Sequence, residues 1–385
     1  MINEKRLAEL FERLVRIDSV SRKEGTVSQE IRRIFESMGA EIYIDDSGRH
    51  TGSDTGNLIA RFKGNRPGVS PLFLNAHMDT VEPGESVRPE FFNGMFTSDG
   101  TTILGADDKS AITIIVEAMR MVTEKDLPHG PIEVVLTTCE EIGLLGARYL
   151  DCSLLEARYG YALDTFDTEA IITRAPAANH FRFTVHGKSA HAGAEPERGI
   201  NAIAIAARAI AGFTTGRIDE ETTVNIGSIQ CAGATNIVPE RVEVTGEARS
   251  HDPEKLERVT EGIVGSFRRA VAEFPDRDEA AGLPDVTVEV ENQFPATNIP
   301  EDHPVVRIAK TAGKKQGREL ISKKTGGGSD ANIFFSKNIV TGVIGTGMRD
   351  VHTVRENIRL SDMVKTVALL VEIMDVASAQ EKGSK

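Results

Sequence analysis

The feature that most constrains the fold is an alternation of short apolar segments with longer segments of helical periodicity. Near the N-terminus, apolar residues at helical spacing indicate a first helix with Leu7, Leu10, Leu14 and Ile17 on one face. A second helix is predicted at Val27–Met38. Strands are predicted further along at Asn57–Phe62, Pro71–Ala76, Ile132–Thr138 and Tyr159–Leu163, with a long helix at Lys109–Val122. Strands that alternate with helices indicate a mostly parallel α/β sheet, in which chemistry gathers at the carboxyl ends of the strands.

The pattern changes near Pro176 and resumes after about Phe294. Between these points the predicted order of elements is βαββαβ, which suits a small antiparallel sheet of four strands with two helices on one face. The sequence therefore predicts a discontinuous α/β domain, residues 1–177 and 295–385, with a mixed, mostly parallel sheet and flanking helices. An inserted α+β lid domain is expected at residues 178–294.

Composition argues against a nucleic-acid partner. The 385 residues include 58 acidic and 45 basic ones, and the net charge of -13 disfavours binding to a polyanion. Tryptophan is absent and aromatic residues make up only 5% of the chain, so stacking platforms for bases or sugars are not expected.

Three features favour a cytoplasmic protein with no membrane partner. The cysteines, Cys139, Cys152 and Cys231, are odd in number and lack CxxC spacing, which suits a reducing compartment. The N-terminal segment carries charges among its apolar positions, so it predicts an amphipathic helix and not a signal peptide. No stretch approaches the ~18 consecutive apolar residues of a membrane span.

The strongest local signal for chemistry is the segment His77-Met78-Asp79-Thr80, which follows an apolar strand. His77 and Asp79 are two residues apart and therefore point to the same side. Imidazole is a good zinc ligand, and a carboxylate two residues on can hydrogen-bond its second ring nitrogen. Taken alone, such a pair more often belongs to an ordinary surface turn.

Further carboxylates and a histidine stand at other strand ends and loops. They lie in Gly105-Ala106-Asp107-Asp108-Lys109, Cys139-Glu140-Glu141-Ile142-Gly143, Ala162-Leu163-Asp164-Thr165 and the loop that contains His352. Each has an ordinary explanation, such as helix capping or solvated charges after a strand. Together they supply two histidines and several carboxylates, which is the inventory of a two-zinc site with ions ~3.5–4 Å apart.

The order HMDT, GADDK, CEEIG, ALDT and a late HT strongly resembles the metallopeptidase family of peptidase T, carboxypeptidase G, aminoacylase and succinyl-diaminopimelate desuccinylase. The resemblance covers essentially the whole chain, and GADDK is most similar to the peptidase T-like members. It implies that His77 and Asp164 bind one zinc ion, and that Glu141 and His352 bind the other. Asp107 would bridge the two ions, for which Co²⁺ or Mn²⁺ are alternatives.

The resemblance also implies roles for side chains beside the metals. Asp79 would orient the first histidine, and Glu140 would act as general base on a water that bridges the ions. The peptide bond after Asp107 is typically cis in this family. Because Glu140 and Glu141 are neighbours, they cannot both point inward from a regular strand, but Gly143 permits a tight turn that would bring both in.

Residues of the predicted lid domain and of a glycine segment are implied in substrate recognition. His191 would polarise the scissile carbonyl group, and Asn236 and Arg249 would hold polar groups of the substrate. The fork of an arginine suits a carboxylate, although a surface ion pair explains Arg249 equally well. Gly327 and Gly328 would line the substrate pocket. Read alone, their segment suggests an anion cradle before a helix, but no GxxxxGK[ST] accompanies it.

The sequence thus predicts a zinc metallopeptidase that hydrolyses small peptides, in the manner of an aminotripeptidase. Gly326 stands where peptidase T carries an arginine, so strict tripeptide specificity is not implied. The alternatives within the family are an N-acyl-amino-acid amidohydrolase and a glutamate carboxypeptidase. A non-catalytic binding protein would lack a ligand or the base, whereas every such position is filled. A small peptide is the expected partner, with a possible homodimer through the lid domain.

Overall fold

A computed structural model of the chain describes residues 2–379. The α-helices within this range are α1 (Glu4–Val15), α2 (Gly25–Ser37), α3 (Gly48–Thr51), α4 (Ala106–Glu124), α5 (Leu145–Tyr149), α6 (Ala202–Ala211), α7 (Pro253–Ala272), α8 (Pro304–Lys315), α9 (Asp330–Ser336) and α10 (Leu360–Ser378). The strands are β1 (Glu41–Ile44), β2 (Leu58–Phe62), β3 (Leu72–His77), β4 (Pro89–Phe92), β5 (Met95–Ser98), β6 (Ile132–Thr137), β7 (Tyr159–Ala162), β8 (Ala170–Ala175), β9 (Ala177–His186), β10 (Gly216–Arg217), β11 (Thr222–Gln230), β12 (Arg241–Ser250), β13 (Asp285–Phe294), β14 (Thr297–Asn298), β15 (Ile321–Lys324), β16 (Val340–Ile344) and β17 (Asn357–Arg359).

The chain divides into two compact units. The first unit consists of the chain up to Thr173, of Asn298–Lys324 and of the chain from Ser329 onward. The second unit consists of Arg174–Thr297 and of the short segment Thr325–Gly328.

The segment Thr325–Gly328 groups with the second unit, whereas the sequence pattern places it in the larger domain. The backbone N–H of Thr325 donates to the carbonyl oxygen of Arg174 at 2.9 Å. A Cβ atom on Gly328 would lie 2.4 Å from the ring of Phe294, so only glycine fits against that ring. The first contact joins two backbone atoms and the second needs the absence of a side chain at Gly328, and the local sequence pattern reveals neither.

The large sheet of the first unit has the strand order β1-β2-β6-β3-β7-β16-β8-β14, and β15 pairs with β8. Its central strands β6, β3, β7 and β16 are parallel, whereas the pairs β1-β2, β2-β6 and β16-β8 are antiparallel. All six residues of β3 and all six of β6 are buried, as expected for strands covered on both faces. The predicted mixed sheet with flanking helices is confirmed.

Helix α1 shows how the apolar pattern becomes packing. Leu7, Leu10 and Leu14 lie on one face and are buried in the same core as residues of β3, α4 and α10. The side chain of Asn3 accepts a hydrogen bond from the backbone N–H of Arg6 at 3.1 Å and caps the helix. Ile17, which has the same spacing, lies beyond the last turn.

The second unit contains an antiparallel sheet with the order β10-β11-β12-β9-β13. Its core includes a stacked pair of rings, Phe183 and Phe267, whose centroids are 3.9 Å apart. Of the five strands of this sheet, the sequence predicted four. The strand that it missed, β10, has only two residues, Gly216 and Arg217, and so carries no periodic pattern.

A small sheet in the first unit, with the order β17-β5-β4, was not predicted. Asn93 and Gly94 join β4 to β5 with φ values of 49° and 75°, which is the left-handed backbone of a tight hairpin. Strand β17 pairs antiparallel with β5, with Asn357 opposite Thr97. This pairing fixes the loop before β17, which contains His352, beside the segment that leads from β5 into α4. Within residues 2–379, no helix has the length and apolar character needed to cross a bilayer.

Candidate functional site

The polar residues of the first unit follow three adjacent parallel strands. In the sheet, β3 lies between β6 and β7, and all three run in the same direction. His77 is the last residue of β3, Glu140 follows β6, and Asp164 follows β7. Their positions at one edge of the sheet agree with the expectation for the carboxyl ends of parallel strands.

Two histidines and two carboxylates form a continuous cluster at this edge. Single ligand atoms of His77, Asp107 and Glu141 lie within 4.8 Å of one another. Nε2 of His77 is 3.0 Å from Oδ1 of Asp107, and Nε2 of His352 is 3.3 Å from its Oδ2. Nε2 of His352 also lies 3.0 Å from Oε1 of Glu141. Asp107 therefore contacts one imidazole through each of its oxygens.

The charges in this cluster are unbalanced. Burial raises the pKa of Glu140 well above its ordinary value. Burial, followed by the charge of Asp107, raises the pKa of Asp164 to about 7. Burial alone would also raise the pKa of Asp107, but hydrogen bonds from His352 and His77 hold it below its usual range. Acidic groups thus outnumber the cationic groups that could neutralise them, a condition that bound cations would relieve.

The donor atoms fit a divalent metal. Imidazole nitrogens and carboxylate oxygens are the ligands that zinc accepts in proteins, and here they converge where His77 and Asp107 are buried and His352 is half exposed. The peptide bond between Asp107 and Asp108 is cis, as the family resemblance implied. Oδ2 of Asp108 accepts the backbone N–H of His77 at 3.2 Å, while its buried Oδ1 has no hydrogen-bond partner among the described residues.

Asp79 contacts both the first histidine and the segment that follows β6. Nδ1 of His77 lies 2.9 Å from the carbonyl oxygen of Asp79 and 3.5 Å from its carboxylate. The ring therefore finds its nearer partner in the backbone and not in the side chain. The carboxylate accepts the backbone N–H groups of Glu140 at 2.9 Å and of Glu141 at 3.2 Å, and the hydroxyl of Ser21 at 2.7 Å.

A tight turn directs both glutamates inward. Cys139, Gly143 and Leu144 have φ values of 53°, 114° and 57°, and the N–H of Leu144 donates to the carbonyl oxygen of Glu140 at 2.8 Å. Glu140 is 9% exposed, and the side chain of Glu141 is 7% exposed. The Cys139 thiol is buried, and burial raises its pKa to about 12, which does not suit a nucleophile.

Two buried glutamates next to this cluster escaped the sequence analysis. Oε1 of Glu24 accepts the backbone N–H of Cys139 at 2.9 Å. The carboxylate of Glu356 accepts the N–H of Asp107 at 2.9 Å, together with two further amides of the same segment. Neither residue stands at a strand end or in a periodic pattern. The closeness of Glu356 to His352 along the chain is the one signal that could have drawn attention to it.

The second unit holds two of the residues expected to contact substrate. His191 is exposed, and its Nδ1 accepts the backbone N–H groups of Gly193 at 3.2 Å and Ala194 at 3.1 Å. In the neutral ring the proton is therefore on Nε2, which leaves Nε2 as a hydrogen-bond donor. Asn236 is exposed, and its backbone carbonyl oxygen accepts the N–H of Ala192 at 2.8 Å.

The guanidinium of Arg249 is engaged within the same unit. Nε and Nη2 donate to the two carboxylate oxygens of Glu247 at 2.9 and 3.0 Å, which is a bidentate ion pair. Nη1 donates to the carbonyl oxygen of Gly326 at 3.3 Å and so contacts the segment that continues with Gly327 and Gly328. An ion pair, one of the two explanations offered by the sequence, is therefore present.

Comparisons with known proteins agree with these motifs. Residues 73–376 match the family model described as "Peptidase family M20/M25/M40". The relative described as "Uncharacterized protein YqjE", from Bacillus subtilis, is 41% identical over 379 residues, which are 98% of this chain and 100% of that protein.

Two solved structures are similar over nearly the full length. Aminopeptidase PepT from Bacillus cereus has a TM-score of 0.89 at 38% identity and covers 98% of this chain and 99% of its own. A tripeptidase from Staphylococcus aureus has a TM-score of 0.92 at 35% identity, with 99% and 100% covered. The chain therefore belongs to peptidase family M20/M25/M40, as its motifs indicated.

Proposed function

We propose that this peptidase is a two-zinc aminopeptidase that removes the N-terminal residue of small peptides, chiefly tripeptides. The observation that carries the proposal is the position of Asp107, which lies between His77 and His352 with one oxygen toward each ring. The names of the two similar solved structures, an aminopeptidase and a tripeptidase, support the choice of substrate.

The proposed ligands divide between two ions. His77 and Asp164 would hold one, Glu141 and His352 the other, and Asp107 both. When bound, zinc acts as a Lewis acid that lowers the pKa of a coordinated water to about 7 and polarises the scissile carbonyl group. Co²⁺ and Mn²⁺ are alternatives because carboxylate and imidazole ligands also suit them.

Glu140 is the proposed general base. Its carboxylate would take a proton from the attacking water and later donate it to the nitrogen of the departing amine. The buried side chain of Glu140 suits a group that must hold this proton between the two transfers, because it is shielded from bulk water. The carboxylate of Asp79 supports this role because it fixes the backbone amide of Glu140 at 2.9 Å.

Substrate contacts from the second unit form part of the proposal. His191 would donate from Nε2 to the oxygen of the scissile carbonyl, since its Nδ1 is occupied by two backbone amides. Asn236, Arg249 and the segment with Gly327 and Gly328 would contact polar groups of the peptide. We also infer a cytoplasmic enzyme, with residues 178–294 serving as a lid and possible dimer surface.

The test is hydrolysis of a matched set of substrates by the zinc-loaded protein. Leu-Gly-Gly is expected to release leucine, whereas its N-acetylated form should resist because an aminopeptidase requires the free amino group. Cleavage of N-acetyl amino acids instead would indicate an amidohydrolase, and release of C-terminal glutamate would indicate a glutamate carboxypeptidase. Failure to hydrolyse any of them would support a non-catalytic binding protein.

A further inference from the structure

We propose that Glu356 is a positioning residue that holds Asp107 and His352 at the separation at which both can bind cations. The inference depends on the proposed metal site. Glu356 itself lies behind the cluster, is 1% exposed, and contacts backbone amides and not the ligand side chains.

Both oxygens of the Glu356 carboxylate accept backbone amides of one short segment. Oε2 accepts the N–H groups of Leu104 and Gly105, both at 2.8 Å, and Oε1 accepts the N–H of Asp107 at 2.9 Å. Gly105 has a φ of 78°, and this left-handed turn directs its own amide and those of Leu104 and Asp107 toward one carboxylate. The backbone of the proposed bridging ligand is therefore fixed directly by this carboxylate.

The same residue ends the compact loop that contains His352. Arg349 and Asn357 close the base of the loop with two reciprocal backbone hydrogen bonds of 2.9 and 3.0 Å. Within it, the N–H of Glu356 donates to the carbonyl oxygen of Thr353 at 3.0 Å. His352 has a φ of 61° in this loop, so its ring direction depends on the loop keeping its shape.

Glu356 thus joins two segments that are far apart in sequence, since 249 to 252 positions separate it from the residues whose amides it accepts. On one side it holds the amide of Asp107, and on the other it belongs to the loop of His352. The distance of 3.3 Å between Asp107 Oδ2 and His352 Nε2 is the separation that this connection maintains. Groups behind a metal site that orient its ligands contribute to metal affinity in this way.

Glu356→Gln is the variant that tests this role. A glutamine has one acceptor oxygen, so its NH₂ group must face either the N–H of Asp107 or those of Leu104 and Gly105. We expect the zinc affinity to fall by about 10–100-fold, measured by competition with a chromophoric chelator. At saturating zinc, the loss in kcat for a tripeptide should be smaller than the loss in zinc affinity, because the ligands themselves are intact.

Glu133→Gln is the matched control. Glu133 is 4% exposed in β6, and its carboxylate likewise accepts backbone amides, those of Glu156 at 3.0 Å and Ala157 at 2.9 Å. It stands near the start of β6, whereas the metal cluster follows the end of that strand. The zinc affinity of Glu133→Gln should stay within about twofold of that of the unsubstituted protein, because Glu133 shares no contacts with the metal cluster within the described part of the chain.

Equal zinc affinity in Glu356→Gln and Glu133→Gln would overturn the inference. Because affinity is measured without peptide, this result leaves the proposed activity standing, whereas absence of zinc binding in the unsubstituted protein would refute the proposed metal site itself. If Glu356→Gln does not fold, hydrogen exchange in the unsubstituted, metal-free protein decides the question. The amides of Leu104, Gly105 and Asp107 should then exchange slowly with solvent, and rapid exchange would contradict their hydrogen bonds to Glu356.

Discussion

Asp79 illustrates, at the scale of single residues, how one carboxylate can serve two parts of a site. Its carbonyl oxygen contacts the ring of His77, while its carboxylate accepts two consecutive amides, those of Glu140 and Glu141. Glu24 accepts the amide just before them, that of Cys139. The inward turn that brings both glutamates to the cluster is thus held by buried acceptors as well as by its own left-handed residues.

Replacing Glu140 by glutamine should separate chemistry from metal binding. Glutamine keeps the shape of the side chain but cannot take a proton, so kcat for Leu-Gly-Gly should fall by about 10²–10⁴-fold. KM and the zinc content should be nearly unchanged, because Glu140 is not among the proposed ligands. Steady-state kinetics with metal analysis of the same sample measures both quantities. A variant that retains its kcat would exclude Glu140 as the general base.

The site residues that the sequence could predict are those at the ends of elements. His77 ends one apolar strand and Asp164 follows another, and a polar residue stands out there against its neighbours. Glu24 and Glu356 stand among other polar residues, and their partners are backbone amides, which carry no sequence signal. Sequence patterns therefore reveal groups by their place in an element, and only the tertiary structure reveals groups that hold a loop from behind.

At the scale of elements, an ion pair between a partly buried arginine and a buried glutamate joins α1 to α4. Glu117 on α4 is fully buried, and its two oxygens accept hydrogen bonds from Nε and Nη2 of Arg6 at 2.8 and 2.9 Å. Nη1 of Arg6 also contacts Glu124 at 2.6 Å. The hydrogen bonds to Glu117 and then to Glu124 raise the pKa of the guanidinium above its ordinary value. Loss of the arginine would leave the buried charge of Glu117 without its cationic partner, while the backbone N–H of Asn3 remains as a donor at 3.4 Å from Oε1.

We expect Arg6→Ala to destabilise the first unit by about 3–5 kcal/mol, because the charge of Glu117 would remain buried without its guanidinium partner. The double variant Arg6→Met, Glu117→Leu should recover most of this loss, since it removes both charges. Urea unfolding followed by circular dichroism measures each change.

Arg13→Ala provides the control for this pair. Arg13 is 51% exposed where it meets Glu30, so its loss should cost about 0–1 kcal/mol. If Arg6→Ala were no more damaging than Arg13→Ala, the ion pair between α1 and α4 would not be a determinant of stability.

The small sheet of β4, β5 and β17, which the sequence analysis missed, combines a recognisable hairpin with a pairing that has no local sequence signal. The segment Phe92-Asn93-Gly94-Met95 carries the Asn-Gly signal of a two-residue hairpin, and β4 and β5 do form that hairpin. The third strand of the sheet, β17, has three residues and lies far away in the sequence, so its pairing with β5 is set by tertiary contacts alone. That pairing nevertheless places the loop of His352.

At the scale of the whole molecule, the proposed metal site would couple cation binding to proton release. Hydrogen bonds to Asp107 and then Glu141 raise the pKa of His352 to about 10, so in the metal-free protein its ring carries a proton at neutral pH. A metal ligand must be deprotonated, so a zinc ion bound by His352, as proposed, would have to displace that proton.

The apparent zinc affinity should therefore rise with pH between 6 and 9, by up to about tenfold per pH unit for each proton displaced. The sign follows from the raised pKa, because the proton competes with zinc throughout the range below about 10. Competition titrations with a chelator of known pH dependence measure it. A flat affinity over this range would show that the ring of His352 is neutral before zinc binds, or that it is not a ligand.

The central claim is that one carboxylate bridges two metal ions in the first unit. It is tested most directly by anomalous diffraction, recorded at the zinc edge, from a crystal grown with zinc. We predict two peaks, each ~2.0–2.2 Å from a different oxygen of Asp107, one beside His77 and Asp164 and the other beside Glu141 and His352. Peaks located elsewhere, or a zinc-saturated crystal with no peak at Asp107, would contradict the account.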